Sequence, residues 1–269
     1  MKNYLFITTL LFLSSGCAKK AEEKEEKEET VSASASSSSS TKWRASAFPL
    51  NIKVSSSFST DEYNGIGEMI GVWNAADNKT YFSLSSTRVS NVSHGGNLDL
   101  FDDATLGIYP LTSWPSSLTS SALAITQAYG EVHSSYIEYV HADILVNKAN
   151  YDFSVIGDPD EGYDFKTVIL HELGHFLGFG HYTGPQESIM ITSITRNTIN
   201  QNLSSLDVRK LSKLYQSVAA LSNEEEDLLF PNSGEKRFVR IQHELNAEGE
   251  CRHYIDNHFY ELHSIYYVK

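Results

Sequence analysis

The most constraining feature of the chain is the segment HELGHFLGFGH, which begins at His171 and ends at His181. On an α-helix, residues four positions apart share one face, so His171 and His175 can present their imidazoles to a single metal ion. Gly178 can adopt a positive φ, which would end the helix and bring His181 toward the same ion. Three histidine ligands leave a fourth coordination position for water, as in catalytic zinc sites.

The residue after the first histidine, Glu172, is placed to hold that water and to act as a general base. The alternative interpretation is a buried amphipathic helix whose histidines only satisfy polar contacts. HExxH alone recurs by chance, but five specified positions in one window are rare. We therefore predict Glu172 as the catalytic residue and His171, His175 and His181 as Zn²⁺ ligands.

The motif resembles that of the metzincin metallopeptidases, and the residues that follow extend the resemblance. Ser188-Ile189-Met190 comes after His181 and a short polar loop, and Met190 resembles the methionine of the metzincin Met-turn, which lies beneath the zinc. The short spacing is most similar to the matrixin branch. The resemblance implies a zinc-dependent endopeptidase that acts on protein or peptide substrates, with Met190 in a structural role. It also implies that residues around 191–200 help to set specificity.

The resemblance covers roughly residues 45–220 and implies a fold class. The expected fold is α+β, with a twisted, mostly parallel sheet, an antiparallel edge strand and three helices. Residues 48–54 are similar to the first strand of a matrixin catalytic domain. Ser59 and Glu62 have the spacing of a capping box, and Asp164 is placed to cap the zinc helix. Residues 204–207 precede the third amphipathic helix.

Two segments between the first helix and the zinc helix are predicted as strands, at residues 121–129 and 136–148. In the resembled family, an edge strand above the cleft pairs with extended substrate. Residues 122–130 are the candidate for that strand, because a peptide added to a sheet edge gains main-chain hydrogen bonds without a sequence requirement. An ordinary sheet strand is the alternative.

The amino terminus has the form of a secretory signal peptide, with an apolar run at residues 4–13 that is too short to span a bilayer. The sequence LSSGC that ends at Cys17 resembles the lipobox of bacterial lipoproteins. The prediction is a lipid anchor on Cys17 as the sole membrane contact. The protein would then lie in the cell envelope, as an outer-membrane lipoprotein that faces the periplasm or the exterior. Plain secretion is the alternative.

Composition divides the remaining chain. Residues 1–16 are predicted as the signal peptide, 17–42 as a low-complexity tether, 43–220 as the peptidase domain and 221–269 as a C-terminal extension. No folded inhibitory prodomain is expected in the tether. In the extension, residues 238–245 and 258–268 are predicted as strands or short helices that pack on the domain. If Cys17 is acylated, Cys251 has no partner in the chain. Three alternatives then remain for Cys251: a buried, inert thiol, a thiolate that caps the zinc, or a disulfide with another chain.

The formal net charge of −13 argues against a nucleic-acid partner, since phosphate binding requires a basic face. A monomer is expected. Two acidic loops are candidates for structural Ca²⁺, with solvated loops as the alternative. Their acidic residues are Asp99, Asp102, Asp103, Asp158, Asp160 and Glu161.

Two other functions are consistent with the same residues. One is a lipid-anchored, non-catalytic binding protein on a metzincin frame, and the other is a zinc amidohydrolase that acts on cell-wall peptides. The presence of Glu172 and all three histidines favours an enzyme over the binding protein.

Overall fold

The structure is a computed structural model, and it describes residues 40–133, 136–156, 162–192, 194–219, 238–247, 250–255 and 258–264. The described strands are β1 (Ser40–Trp43), β2 (Leu50–Val54), β3 (Phe82–Leu84), β4 (Gly107–Leu111), β5 (Ala122–Val132), β6 (Tyr136–Asn147), β7 (Phe153–Ser154), β8 (Tyr163–Asp164), β9 (Phe238–Asn246), β10 (Glu250–Ile255) and β11 (His258–Ser264). The described α-helices are α1 (Thr60–Asn74), α2 (Phe165–Phe176) and α3 (Ser205–Ala219), and 3-10 turns span Ala45–Ala47 and Leu98–Phe101.

One large mixed sheet organises the fold. Its strand order is β11-β10-β9-β5-β6-β4-β2-β3, with β1 also paired to β6. Strands β1, β2, β3, β4 and β6 are mutually parallel, whereas β5, β9, β10 and β11 pair antiparallel with their neighbours. Strands β7 and β8 form a separate parallel pair. The predicted α+β fold with three helices is confirmed, and it is matrixin-like.

The predicted antiparallel strand is present as β5, but it is not at an edge among the described strands. One side of β5 pairs with β6, and β9 pairs antiparallel with the other side. The prediction of a free edge at residues 122–130 was therefore wrong for this structure, because the C-terminal extension supplies the missing neighbour. The segment predicted at residues 238–245 is strand β9, and the described part of the segment predicted at residues 258–268 is strand β11; residues 265–268 lie outside the described residues.

Helix α1 begins at the predicted capping box. The Ser59 hydroxyl accepts a hydrogen bond from the Glu62 amide at 3.2 Å, and the Glu62 carboxylate accepts one from the Ser59 amide at 2.8 Å. Ile66 and Trp73 on its inner face are fully buried. The Trp73 indole nitrogen donates to the Leu170 carbonyl of α2 at 2.9 Å, so α1 is fixed against the helix that carries the motif.

The two faces of the sheet bury different clusters. Alternate strand residues such as Ile52 and Ile144 pack with α1 and α2 in the main core, whereas Ile125 and Leu145 pack with the 3-10 turn on the opposite face. This alternation is the period-two pattern of strand side chains. Among the described residues, no helix is both long and apolar enough to cross a membrane.

Strand β1 begins earlier than the sequence indicated. Residues 40–42 were assigned to the tether on composition, yet they pair in parallel register with β6 from Tyr136 onward. The Trp43 indole donates to the Phe176 carbonyl at 2.6 Å, and the Thr41 hydroxyl donates to the Gly178 carbonyl at 2.8 Å. These contacts connect β1 directly to the end of α2.

Candidate metal centre

Helix α2 places two of the predicted ligands one turn apart. It begins at the Asp164 cap, whose carboxylate accepts a hydrogen bond from the Thr167 amide at 2.8 Å, as predicted. His171 and His175 are both completely buried. The Nδ1 atom of His171 lies 2.7 Å from the Ile189 carbonyl, and that of His175 lies 2.7 Å from the Phe179 carbonyl.

These carbonyl contacts determine the tautomers of both rings. A carbonyl oxygen only accepts hydrogen bonds, so each Nδ1 carries a proton and each neutral ring has a bare Nε2 lone pair. Burial, opposed by the Ile189 hydrogen bond, lowers the pKa of His171 to about 4 and favours the neutral form. The nitrogen that can bind a metal ion is therefore Nε2 in both rings.

The three Nε2 atoms converge on one point. The His171–His175 distance is 2.9 Å, and each lies 3.0 Å from Nε2 of His181. The bare lone pairs of His171 and His175 repel each other at this separation, whereas a single ion about 2.0–2.1 Å from each of the three nitrogens would remove that repulsion. Among the described residues, these three histidines are the one group of three or more candidate ligands gathered in this way. The donor set and its spacing fit Zn²⁺.

Gly178 makes the turn that brings His181 to the site, as predicted. Its φ is +92°, a conformation that other residues rarely adopt, and a Cβ there would lie 2.2 Å from the Thr41 carbonyl oxygen. The chain after the turn is held by the Tyr182 amide, which donates to the Met190 carbonyl at 2.6 Å.

Met190, the predicted Met-turn residue, packs against α2. It is completely buried. A Cβ at Gly174, between the two helical ligands, would lie 2.2 Å from the Met190 sulfur and 3.0 Å from Trp73. Glycine at this position therefore lets the Met190 side chain approach the backbone of α2 directly.

Glu172 is buried beside the three nitrogens. Its Oε2 accepts a hydrogen bond of 2.6 Å from the Thr126 hydroxyl of β5, and its Oε1 has no hydrogen-bond partner among the described residues. Burial raises the pKa of Glu172 to about 8, and the Thr126 hydrogen bond opposes that rise. A cation bound by the adjacent histidines would, like the Thr126 hydrogen bond, lower the pKa of Glu172 and favour its carboxylate form.

Two residues that support the site were not identified from the sequence. Thr126 was predicted only as part of a strand. Asp207 was noted only at the start of the third helix, yet its fully buried carboxylate accepts a hydrogen bond from the Ile189 amide at 3.1 Å and another from the Ser188 hydroxyl. Asp207 thereby holds the backbone whose carbonyl orients His171. The polar character of both residues was visible in the sequence, but their partners are distant along the chain.

The part of the chain that contains the metal centre matches a known protein family. The model of the Matrixin family matches residues 43–216. The chain belongs to the matrixin family. Metalloendoproteinase 1 from Glycine max is 27% identical to this matrixin over 177 residues, which are 65% of the chain and 52% of that protein. The chain thus spans about half the length of this curated relative.

A solved structure is also similar to this matrixin. It is High choriolytic enzyme 1, a hatching enzyme zinc-protease from Oryzias latipes. The alignment has a TM-score of 0.34 and 15% identity, and it covers 67% of this chain and 96% of that one.

The predictions about calcium binding and about the two cysteines concern other parts of this matrixin. Asp99 forms an ion pair with Arg240, and the Asp103 carboxylate accepts from the Thr105 amide at 2.8 Å. Calcium binding stays a prediction, and the second acidic loop lies largely outside the described residues. Cys17 also lies outside them, as does the side chain of Cys251.

Proposed function

We propose that this matrixin is a zinc-dependent endopeptidase in which Glu172 is the general base. The observation that carries the proposal is the combination of three converging Nε2 atoms, within 3.0 Å of one another, and a buried carboxylate on the next residue. A structural zinc site needs no carboxylate there, whereas hydrolysis needs a base beside the metal. The Matrixin match and the metalloendoproteinase relative support the proposal.

The residues divide the chemistry between them. When bound, Zn²⁺ supplies a Lewis acid that polarises a carbonyl and lowers the pKa of water at its open position from 15.7 to about 7. Glu172 accepts a proton from the attacking water at Oε1, which has no hydrogen-bond partner in the described part of the chain, and delivers it to the leaving amine. Thr126 holds Oε2, which aims the other oxygen. Ile189 and Phe179 keep both helical imidazoles in the required tautomer.

A cleft beside the Met-turn is the proposed specificity pocket. Its volume is about 390 Å³, and of the segment at residues 191–200 that is expected to help set specificity, only Ile191 and Asn200 line it. Its lining is mixed, with apolar side chains and several amide and hydroxyl groups. The lining residues are Glu187, Ser188, Ile189, Ile191, Asn200, Asn202, Leu203 and Ser204. We expect it to accept a medium-sized side chain with a hydrogen-bonding group.

The test of the proposed activity compares Glu172→Gln with Glu68→Gln. Glu68 is an exposed carboxylate on α1 that pairs with Lys166 at 3.2 Å. The substrates are a mixed peptide library, an unfolded protein and cell-wall peptides, because an amidohydrolase would use the same residues. We expect Glu172→Gln to lower the rate by about 10²–10⁴ with zinc still bound. Wild-type rates in that variant would refute the role of Glu172.

We also propose export as a lipoprotein anchored through Cys17, with the catalytic domain in the cell envelope. The support is the sequence alone, from the apolar run at residues 4–13 and the LSSGC segment. A Cys17→Ser variant should move from the membrane fraction to the soluble fraction when expressed in a bacterium with lipoprotein processing. Equal membrane partition of the variant and the wild type would contradict the anchor.

A further inference from the structure

Strand β9 lies on the side of β5 where the matrixin resemblance leads us to expect an extended substrate to pair. It runs antiparallel along β5, in register from Asn246 opposite Ala122 to Phe238 opposite Glu131. A strand has two hydrogen-bonding sides, and β6 occupies the other one. From Ala124 to Glu131, the main chain of β5 therefore faces β6 on one side and β9 on the other, so neither side of that segment is open to an added peptide.

The face of β9 toward α2 reaches the metal centre. His243 lies directly opposite Thr126 in the register. Its ring stacks on the ring of His175, with centroids 4.4 Å apart and an angle of 5° between the planes. Its Nε2 lies 3.3 Å from the Tyr139 hydroxyl of β6. His243 is only 4% exposed, and its ring covers one face of the His175 ring.

Both faces of β9 make specific contacts with the rest of the domain. Toward α2, Ile241 and Leu245 join the main core and are no more than 3% exposed. On the opposite face, the Gln242 amide donates to the Gln127 side-chain carbonyl at 2.9 Å, and Arg240 forms an ion pair with Asp99. A shift of one residue would reverse the two faces, so this register is specific.

We propose that β9 is an intramolecular inhibitory strand, which occupies the substrate-pairing side of β5 and must leave it for full activity. This inference rests on the proposed peptidase function. The matched matrixin region ends at residue 216, before β9 begins, so the family frame is complete without this strand. A tethered strand competes at an effective concentration that reaches about millimolar for short connections, so a free peptide of ordinary affinity is outcompeted.

A permanent structural strand is the competing explanation, and the two predict opposite signs. If β9 only completes the core, loosening it lowers activity. If β9 inhibits, loosening it raises activity. The Ile241→Ser variant weakens the face toward α2, and Phe238→Ser makes the same class of change at a position that is 54% exposed in the same strand. We expect a roughly tenfold higher rate from Ile241→Ser and no change from Phe238→Ser.

Cutting the chain before β9 tests the same proposal without a substitution in the core. A recognition site for a foreign protease is inserted between Ala219 and Phe238 of the full, zinc-loaded chain. Peptide hydrolysis is measured before and after the cut, and then after addition of the synthetic peptide FVRIQHELN, which has the sequence of β9. The expected result is at least a tenfold rise on cutting and a return toward the uncut rate with the peptide.

Binding of a fluorescent peptide hydroxamate separates this inference from the proposed catalysis. The probe pairs as a strand and ligates zinc, so its binding requires an open cleft but no turnover. Tight binding to the cut chain and at least tenfold weaker binding to the intact chain support inhibition by β9, even if neither form hydrolyses peptides; in that case the proposed activity alone fails. Equal binding and equal rates before and after the cut, with the C-terminal fragment released, overturn the inference.

Discussion

The Thr126 hydroxyl of β5 lies 2.6 Å from Oε2 of Glu172 and 3.0 Å from the backbone oxygen of the same residue. Thr126 itself is completely buried. A strand of the sheet therefore holds the proposed general base directly, and the geometry of the carboxylate depends on β5 as well as on α2.

Replacing Thr126 by valine keeps the shape of the side chain and removes the hydroxyl. Glu172 then loses its orienting hydrogen bond, so we expect kcat to fall about tenfold with little change in KM or in zinc content. Thr126→Ser should retain most of the wild-type kcat. Steady-state kinetics on the cut chains test this, and loss of zinc in Thr126→Val would show a structural role instead.

Asp207 should control zinc affinity without touching the metal. Its carboxylate also accepts hydrogen bonds from the Ser204 amide at 2.9 Å and hydroxyl at 2.8 Å, so an amide cannot replace all its acceptor positions. We expect Asp207→Asn to weaken zinc binding about 10–100-fold, because the Ile189 carbonyl that orients His171 shifts. Competition with a chromogenic chelator measures this. Asp61→Asn, at an exposed position of α1, is the matched control, and equal affinities would refute the connection.

Two glycines on neighbouring helices predict opposite effects of the same substitution. Gly174→Ala should lower the free energy of unfolding by about 1–3 kcal/mol, because the new methyl group meets the Met190 sulfur at 2.2 Å. Gly71→Ala should raise it by about 0.5–1 kcal/mol, because nothing lies within 4 Å and alanine favours the helix. Chemical denaturation of both variants is the measurement. A neutral Gly174→Ala would contradict the close packing of Met190 on α2.

Metal removal should destabilise the folded chain. Zinc at 100 times its dissociation constant contributes about 2.7 kcal/mol through binding to the native state. Thermal unfolding with excess chelator should therefore show a lower Tm, restored by added Zn²⁺. His175→Gln should show no such zinc-dependent rise. An unchanged Tm on chelation of the wild type would indicate that the three histidines hold no ion.

The local features of this matrixin were predictable because their signals are short in sequence. The capping box at Ser59, the Asp164 cap and the turn at Gly178 each involve residues within a few positions of one another. The helical spacing of His171 and His175 is equally local. These signals sufficed for the three helices, the proposed ligands and the course of the chain around them.

The features that were missed depend on contacts between distant residues. Strand β1 was hidden because Ser40 and Thr41 resemble the tether in composition, and only pairing with β6 makes them a strand. Nothing near Asp207 in the sequence indicates that its carboxylate will accept hydrogen bonds from the Ile189 amide and the Ser188 hydroxyl. Likewise β9 was predicted only as a strand or short helix, because the partner of a strand is determined by the fold and not by its own alternation.

The role of Glu172 in a zinc endopeptidase is tested most directly by measuring zinc content and peptide hydrolysis on the same preparations of the cut wild type and the cut Glu172→Gln variant. We predict one zinc per chain in both and cleavage by the wild type alone, at a rate at least 100-fold above the variant. Full zinc occupancy without cleavage by the cut wild type, or equal cleavage by both, would contradict a zinc endopeptidase that uses Glu172 as its base.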